Sequence, residues 1–175
     1  MIELKELTLG YGQRTLLEMV NARMTSGQLI ALLGRNGAGK STLLRAMMGL
    51  EKPQSGEIIL QGKKIASLKP EKLARSISFV TTDKVRIANL RCKDVVSMGR
   101  LRPEDEMRVD TAIQLVGMSA YAEKTMDKMS DGECQRIMIA RALAQDTPVI
   151  LLDEPTAFLD LPNRYELCLL LKRLA

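Results

Sequence analysis

The segment from Gly34 to Thr42, GRNGAGKST, has the residue types and spacing of a loop that binds phosphate. It fills every fixed position of G-x-x-x-x-G-K-[ST], and an apolar run precedes it. Its three glycines permit close approach of the backbone, so that successive N–H groups can surround the β- and γ-phosphates of a nucleotide. Lys40 is predicted to reach the β/γ oxygens, Ser41 to ligate Mg²⁺ and Thr42 to contact the α-phosphate. The other predicted loop contacts are Gly34, Arg35, Asn36, Gly37, Ala38 and Gly39.

Two adjacent carboxylates end a second apolar run, VILLDEP, from Val149 to Pro155. Ligands of open parallel sheets bind at the carboxyl ends of strands, which is where Asp153 and Glu154 would lie. Asp153 is predicted to hold Mg²⁺ through water, and Glu154 to act as the general base on the attacking water. A solvated acidic strand end is the alternative, but the phosphate loop earlier in the chain favours a catalytic site.

The segment MSDGE, from Met129 to Glu133, has the spacing of a helix capping box. The Ser130 hydroxyl would accept from the amide of residue 133, and the Glu133 carboxylate would accept from the amide of Ser130. This structural interpretation is compatible with function, since the capped start of a helix also attracts anions.

The elements that must position these residues follow from the hydrophobic pattern. Residues 29–33 are continuously apolar and predict a strand buried on both faces, followed by the loop and a helix that stops at Gly49. Residues 77–80 and 149–152 predict two further strands, and the segment between them, about 93–147, is mostly helical. At the N-terminus, alternation over Ile2–Leu9 with one slip indicates a strand pair or one bulged strand. The fold class is therefore α/β.

Composition limits the possible functions. The chain has 175 residues, 46% of them hydrophobic, which suits one globular domain. No run approaches the roughly 20 apolar residues that span a bilayer, and no signal peptide is visible at Met1. The formal charge is +5, but aromatic residues make up only 3% and Trp is absent. Platforms for stacking nucleic-acid bases are therefore scarce, and we expect no nucleic-acid partner.

The order GRNGAGKST, MSDGE, ILLDEPTAFLD resembles the ATP-binding cassette of ABC proteins over essentially the whole chain. The resemblance implies a RecA-like phosphate-loop core sheet, an N-terminal antiparallel β portion and a helical insertion, in a single nucleotide-binding domain over residues 1–175. It also implies ATP and Mg²⁺ as cofactors, and a head-to-tail dimer that encloses two ATP molecules. The residues it assigns to the nucleotide outside the phosphate loop are Tyr11, which would stack on adenine, Ser130, Asp131, Gly132, Glu133 and Asp160.

Three departures from the family pattern stand out. Asp131 occupies a position where the family usually has glycine, and a carboxylate near the γ-phosphate is electrostatically unfavourable unless it turns away or meets a cation. Thr82 is expected at the position of the family's metal-sensing glutamine. The chain contains no histidine and stops at Ala175, about 20 residues past Glu154, before the family's histidine. We therefore expect C-terminal strands to be missing, and residues to be absent after Arg100.

The resemblance is strongest to the ATPase subunits of importers for ferric siderophores, haem and cobalamin, through YGQRTLLE, EKLARSISFV and KDVVSMGR. It implies transmembrane permease subunits as partners, a second cassette or a homodimer, and indirect contact with a periplasmic or surface binding protein. The protein would then lie on the cytoplasmic face of the cell membrane. One alternative is a soluble ABC ATPase of DNA repair or translation. Another is a regulatory cassette with impaired hydrolysis, as Asp131 and Thr82 would suggest.

Overall fold

The computed structural model describes residues 1–81, 87–102, 105–157 and 159–175, which form two compact units. One unit comprises residues 1–74 with Ala175, and the other comprises residues 75–174. Thr82, predicted as a metal ligand, lies outside the described residues. None of the helices in the described ranges is long and apolar enough to cross a membrane.

The first unit is built on a four-stranded antiparallel sheet. Its order is β2-β1-β3-β4, with β1 at Ile2–Tyr11, β2 at Arg14–Met24, β3 at Ser55–Leu60 and β4 at Lys63–Lys64. The alternating apolar residues of β1 are buried, namely Ile2, Leu4, Leu7 and Leu9. The register shifts between Leu4 and Leu7, and Glu6 there has a φ of 48°. Its amide donates to Asn21 Oδ1 at 2.9 Å. One bulged strand therefore explains the slip in the sequence pattern.

Two helices complete the first unit, α1 at Lys40–Met47 and α2 at Pro70–Ala74. The chain leaves α1 through Gly49, as the sequence predicts, because Gly49 has a φ of 72° and its amide donates to Ala46 O. Helix α1 buries the apolar side chains Leu43, Leu44, Ala46 and Met47.

The prediction of a buried strand over residues 29–33 is wrong for this structure. Residues 28–35 belong to no strand, and Leu29, Ile30 and Leu33 are 53%, 50% and 90% exposed. A strand needs neighbours that satisfy its backbone N–H and C=O groups, and an apolar run alone does not supply them. In the described residues, the sheets contain no pairing of this segment.

The second unit combines a parallel strand pair with a helical core. Strand β5 at Ile77–Val80 pairs in register with β6 at Val149–Leu152. Between them lie α3 at Cys92–Ser97, α4 at Glu106–Leu115 and α5 at Asp131–Ala144. Their apolar faces form one cluster that includes Val95, Val109, Ile113 and Ile137. Helix α6 at Leu161–Leu174 adds Leu167 and Leu170 to it.

The α/β fold class is confirmed, with an antiparallel N-terminal sheet, a parallel pair and helices. The predicted strand at 149–152 is present, although only Leu151 is fully buried and its neighbours are half-buried. A parallel pair brings the carboxyl ends of both strands to the same edge. Thr81 and Asp153 therefore follow neighbouring strand ends.

Candidate functional site: a phosphate loop, a capped helix and a carboxylate strand end

The phosphate loop lies in the first unit and leads directly into α1. Gly37 and Gly39 have φ angles of 79° and 89°, which residues with a Cβ rarely adopt. The Ala38 amide donates to Arg35 O at 3.2 Å, which closes the turn. Gly39 is the N-cap of α1, so the loop ends at the N-terminus of a helix, where the N–H groups of the first turn and the positive end of the helix dipole lie. This geometry suits an anion such as a phosphate group.

Lys40 folds back over this loop. Its Nζ donates to Gly34 O and to Arg35 O, both at 3.0 Å. The ammonium therefore lies close to the turn, and its acceptors in these two hydrogen bonds are neutral carbonyl oxygens. Phosphate oxygens carry negative charge and are stronger acceptors for an ammonium than carbonyl oxygens are.

The loop is exposed at its start and becomes more buried towards α1. Residues Gly34 to Gly37 are exposed, Gly39 is buried, and Lys40, Ser41 and Thr42 are half-buried. The exposed half of the loop is accessible to a ligand, while the buried half anchors it to α1. The structure thus brings the predicted phosphate contacts together in one turn of the chain.

Tyr11, the predicted adenine contact, lies at the end of β1 in the same unit and is 51% exposed. Its hydroxyl lies 3.5 Å from Thr42 Oγ1 and donates to Glu51 Oε1 at 3.2 Å. The ring is therefore held at the first turn of α1. Glu51 carries no motif in the sequence, and only the fold reveals this contact.

In the second unit, Asp153 and Glu154 follow β6 and have different environments. Asp153 is 8% exposed, and its amide donates to Val80 O at 3.0 Å, which continues the parallel ladder by one residue. Glu154 is exposed and has a φ of 45°, in the left-handed region that is unfavourable for a residue with a Cβ. Its carbonyl accepts from Ala157 N at 3.0 Å. Glu154 therefore begins a turn just after β6 has ended at Leu152.

The capping box predicted from MSDGE is present at the start of α5. Ser130 N donates to Glu133 Oε2 at 2.8 Å, Ser130 Oγ donates to the same oxygen at 2.9 Å, and Glu133 N donates to Ser130 Oγ at 3.3 Å. The amide of Ser130 is the main cause that lowers the pKa of Glu133 below its ordinary value. Asp131 is half-buried and is the first residue of α5, where a carboxylate complements the helix dipole.

Gly132 lies against Asn163, near the start of α6. None of the sequence motifs indicates Asn163. A Cβ on Gly132 would come within 3.2 Å of Asn163 Oδ1. Asp160 Oδ1 accepts from Asn163 N at 3.1 Å and from Asn163 Nδ2 at 2.6 Å. Asp160 thus caps α6 and orients Asn163 beside Gly132. Asp160 is a residue type that often caps helices, and it directly precedes α6, but no sequence pattern indicates the contact between Asn163 and Gly132.

Each unit carries groups whose chemistry suits part of a magnesium nucleotide. Magnesium prefers oxygen ligands, and both the Ser41 hydroxyl of the first unit and the Asp153 carboxylate of the second unit are of this kind. The loop before α1 and the Lys40 ammonium suit a polyphosphate, and the Tyr11 ring suits a nucleobase. The phosphate loop and Tyr11 belong to one unit, and the carboxylates and the capping box belong to the other.

Comparison with known proteins places the chain in a family. The family model described as "ABC transporter" matches residues 17–157. The chain is 41% identical to the ABC transporter ATP-binding protein MJ0873 of Methanocaldococcus jannaschii, over 100% of this chain and 63% of that protein. It is 35% identical to the iron(3+)-hydroxamate import ATP-binding protein FhuC of Bacillus subtilis, over 97% of this chain and 66% of that protein. The chain therefore spans about two thirds of the length of these relatives.

The structural comparison agrees. The structure of cbiO1 from Clostridium perfringens, part of the ABC transporter complex cbiONQ, superposes with a TM-score of 0.90 at 34% identity. The match covers 99% of this chain and 72% of that one. With the motifs, the local geometry and both comparisons in agreement, the chain belongs to the ABC transporter family.

Proposed function

We propose that this chain is the ATP-binding and ATP-hydrolysing part of an ABC importer subunit. The observation that carries the proposal is the phosphate loop, with positive φ at Gly37 and Gly39, the N-cap at Gly39 and Lys40 folded over the turn. Residues 1–175 would form one nucleotide-binding domain with a helical subdomain at about 93–147. The family membership and the relatives' description as ATP-binding proteins support the same activity.

The roles of the residues follow from their chemistry. Lys40 exchanges its two carbonyl acceptors for β/γ-phosphate oxygens, and the N–H groups before α1 donate to the same phosphates. Ser41 and Asp153, together with Thr82, would hold Mg²⁺, which neutralises charge on the phosphate oxygens when bound. Glu154 accepts a proton from the attacking water. Its exposure and its position after the buried Asp153 suit this role.

A head-to-tail dimer would complete each site. Ser130 and Gly132 of one subunit would contact the γ-phosphate held by the loop of the other, with Asp131, Glu133 and Asp160 beside them. Helix capping supports this arrangement, since the start of α5 combines a hydroxyl with a positive dipole end.

The solute is proposed to be an iron–siderophore complex, haem or a cobalamin-type compound. The similarity to the iron(3+)-hydroxamate import ATP-binding protein of Bacillus subtilis supports the first of these. The partners would be transmembrane permease subunits and, indirectly, a periplasmic or surface binding protein. The subunit would then lie at the cytoplasmic face of the cell membrane, and ATP binding and hydrolysis would drive alternating access in the permease.

The test is ATP hydrolysis by the purified protein and its Glu154→Gln variant. The exchange removes the base and keeps the size of the side chain, so we expect turnover to fall at least about 100-fold while ATP binding persists. Lys40→Ala should abolish binding as well as turnover, because it removes the charge that contacts the phosphates. Phosphate release and equilibrium ATP binding are the two measurements.

Unchanged turnover in Glu154→Gln, with tight ATP binding, would exclude the proposed mechanism and favour a cassette with impaired hydrolysis. The presence of Asp131 at the start of α5 makes that the second candidate. A protein that binds no ATP would refute both.

A further inference from the structure

The hydroxyl of Tyr11 lies between two side chains of the segment that begins with α1. Thr42 Oγ1 lies 3.5 Å from it, and Glu51 Oε1 lies 3.2 Å from it. Glu51 is half-buried and follows the C-terminal end of α1. No motif in the sequence marks this glutamate, and the proposed nucleotide site does not use it.

The chemistry of the three groups gives their hydrogen bonds a direction. A carboxylate only accepts, so the Tyr11 hydroxyl donates its one proton to Glu51. The contact with Thr42 then requires that the Thr42 hydroxyl donates to the Tyr11 oxygen. Glu51 thus orients the phenol and, through it, the plane of the ring.

The backbone on either side of Tyr11 is hydrogen-bonded to Gln54, three residues after Glu51. Gln54 Nε2 donates to Gly12 O at 2.9 Å, and Gln54 N donates to Thr8 O at 2.9 Å. Residues 51–54 therefore bind both the hairpin end that carries Tyr11 and the side chain of Tyr11. These contacts keep the half-exposed ring in one place at the first turn of α1.

We propose that Glu51 is a positioning residue of the nucleobase site. Its carboxylate holds the Tyr11 hydroxyl, so that the ring face is oriented for stacking on the purine before the nucleotide arrives. An aromatic ring fixed in advance loses less conformational freedom on binding than one that must be ordered by the ligand. The inference rests on the proposed function, because it needs a nucleotide whose phosphates occupy the loop before α1.

The experiment compares two ligands, ATP and inorganic tripolyphosphate, by equilibrium binding to the purified protein. Glu51→Leu removes the acceptor, Glu51→Gln keeps an acceptor oxygen but removes the charge, and Tyr11→Phe keeps the ring but removes the hydroxyl. Loss of one hydrogen bond predicts that ATP binds about five-fold more weakly to Glu51→Leu and Tyr11→Phe. Tripolyphosphate, which has no base, should bind these variants as it binds the wild type.

ATP binding by two further variants distinguishes a positioning role of Glu51 from a general structural role. Glu51→Gln should bind ATP as the wild type does, and comparison with Glu51→Leu cancels the effect of the lost charge. The double variant Tyr11→Phe with Glu51→Leu should be no weaker than either single variant, because both remove the same hydrogen bond.

The inference is overturned if Glu51→Leu binds ATP normally, if it weakens both ligands equally, or if the two changes are additive. It is also overturned if wild-type protein binds ATP no better than tripolyphosphate. In each of these cases the proposed function stands, since the phosphates still bind. Wild-type protein that binds neither ligand would overturn the proposed function, and the inference with it.

Discussion

Gly39 shows how a single position can carry two requirements. Its φ of 89° disfavours any side chain, and a Cβ would lie 3.2 Å from Leu16 Cβ and 3.2 Å from Leu17 Cγ. The residue also ends the phosphate loop and caps α1. The left-handed backbone conformation therefore favours glycine here, and a Cβ would be crowded against β2, at the point where the loop is proposed to present its N–H groups to phosphate.

Gly39→Ala is predicted to destabilise the fold and weaken phosphate binding. The left-handed backbone alone costs about 1–2 kcal/mol with a Cβ, and the contacts with Leu16 and Leu17 add to this. Gly62→Ala is the matched control, since Gly62 has a φ of 78° and nothing within 4 Å of a Cβ. Urea unfolding and tripolyphosphate binding are the measurements.

We expect the control to lose stability but to keep its tripolyphosphate affinity, whereas Gly39→Ala should lose both. Equal affinity of the two variants for tripolyphosphate would contradict the role given to Gly39.

Among the elements, helix α5 shows that a segment proposed to contact the nucleotide can also be a local folding signal. The Ser130 hydroxyl and the Glu133 carboxylate satisfy amides that have no partner within the helix. The Ser130 amide and hydroxyl, and also Tyr121 and Lys124, lower the pKa of Glu133 in the fold. The charged carboxylate therefore stabilises the folded state.

A pH dependence follows from the direction of this shift. Because the folded pKa lies below the ordinary value of 4.5, the contribution of Glu133 is present above that value and is lost as pH falls through the folded pKa. Glu133→Gln keeps the side-chain length and does not titrate. We predict that the difference in free energy of unfolding between wild type and Glu133→Gln is largest near neutral pH and shrinks in acid.

Urea titrations at several pH values check this prediction. Ser130→Ala, which removes the other half of the cap, should cost about 1 kcal/mol at neutral pH. A wild-type advantage over Glu133→Gln that stays constant down to the lowest pH would show that the carboxylate charge does not stabilise the helix start.

At the scale of the whole molecule, the proposed dimer divides each catalytic site between two subunits. The Lys40→Ala variant lacks the phosphate contact, and Ser130→Ala lacks the contact proposed across the interface. In a mixed dimer, the loop of the Ser130→Ala subunit would meet the intact Ser130 of the Lys40→Ala subunit. One complete site is thereby restored.

We predict that an equimolar mixture of Lys40→Ala and Ser130→Ala hydrolyses ATP faster than either variant alone at the same total concentration. Phosphate release at rising protein concentration is the measurement, because subunit exchange requires association. If the mixture is no more active than the average of its components, the sites are not shared between subunits and the head-to-tail arrangement is wrong.

Local patterns in the chain were enough to predict the glycine-containing turn before α1, the capping box at the start of α5 and several of the helices and strands. Each depends on residues within one turn or one strand, so that spacing and residue type decide it. The turn that ends at Gly39, for example, can be predicted from its glycines, from Lys40 and from the helix that follows.

Contacts between distant residues could not be predicted in this way. The apolar run at 29–33 looks like a buried strand, but strand formation depends on pairing partners elsewhere in the chain, and in this structure the segment is exposed. The same holds for the hydrogen bond between Tyr11 and Glu51, 40 residues apart, and for Asn163 beside Gly132. Such contacts arise only when separate elements pack together, and packing depends on the shape of the whole core rather than on any local pattern.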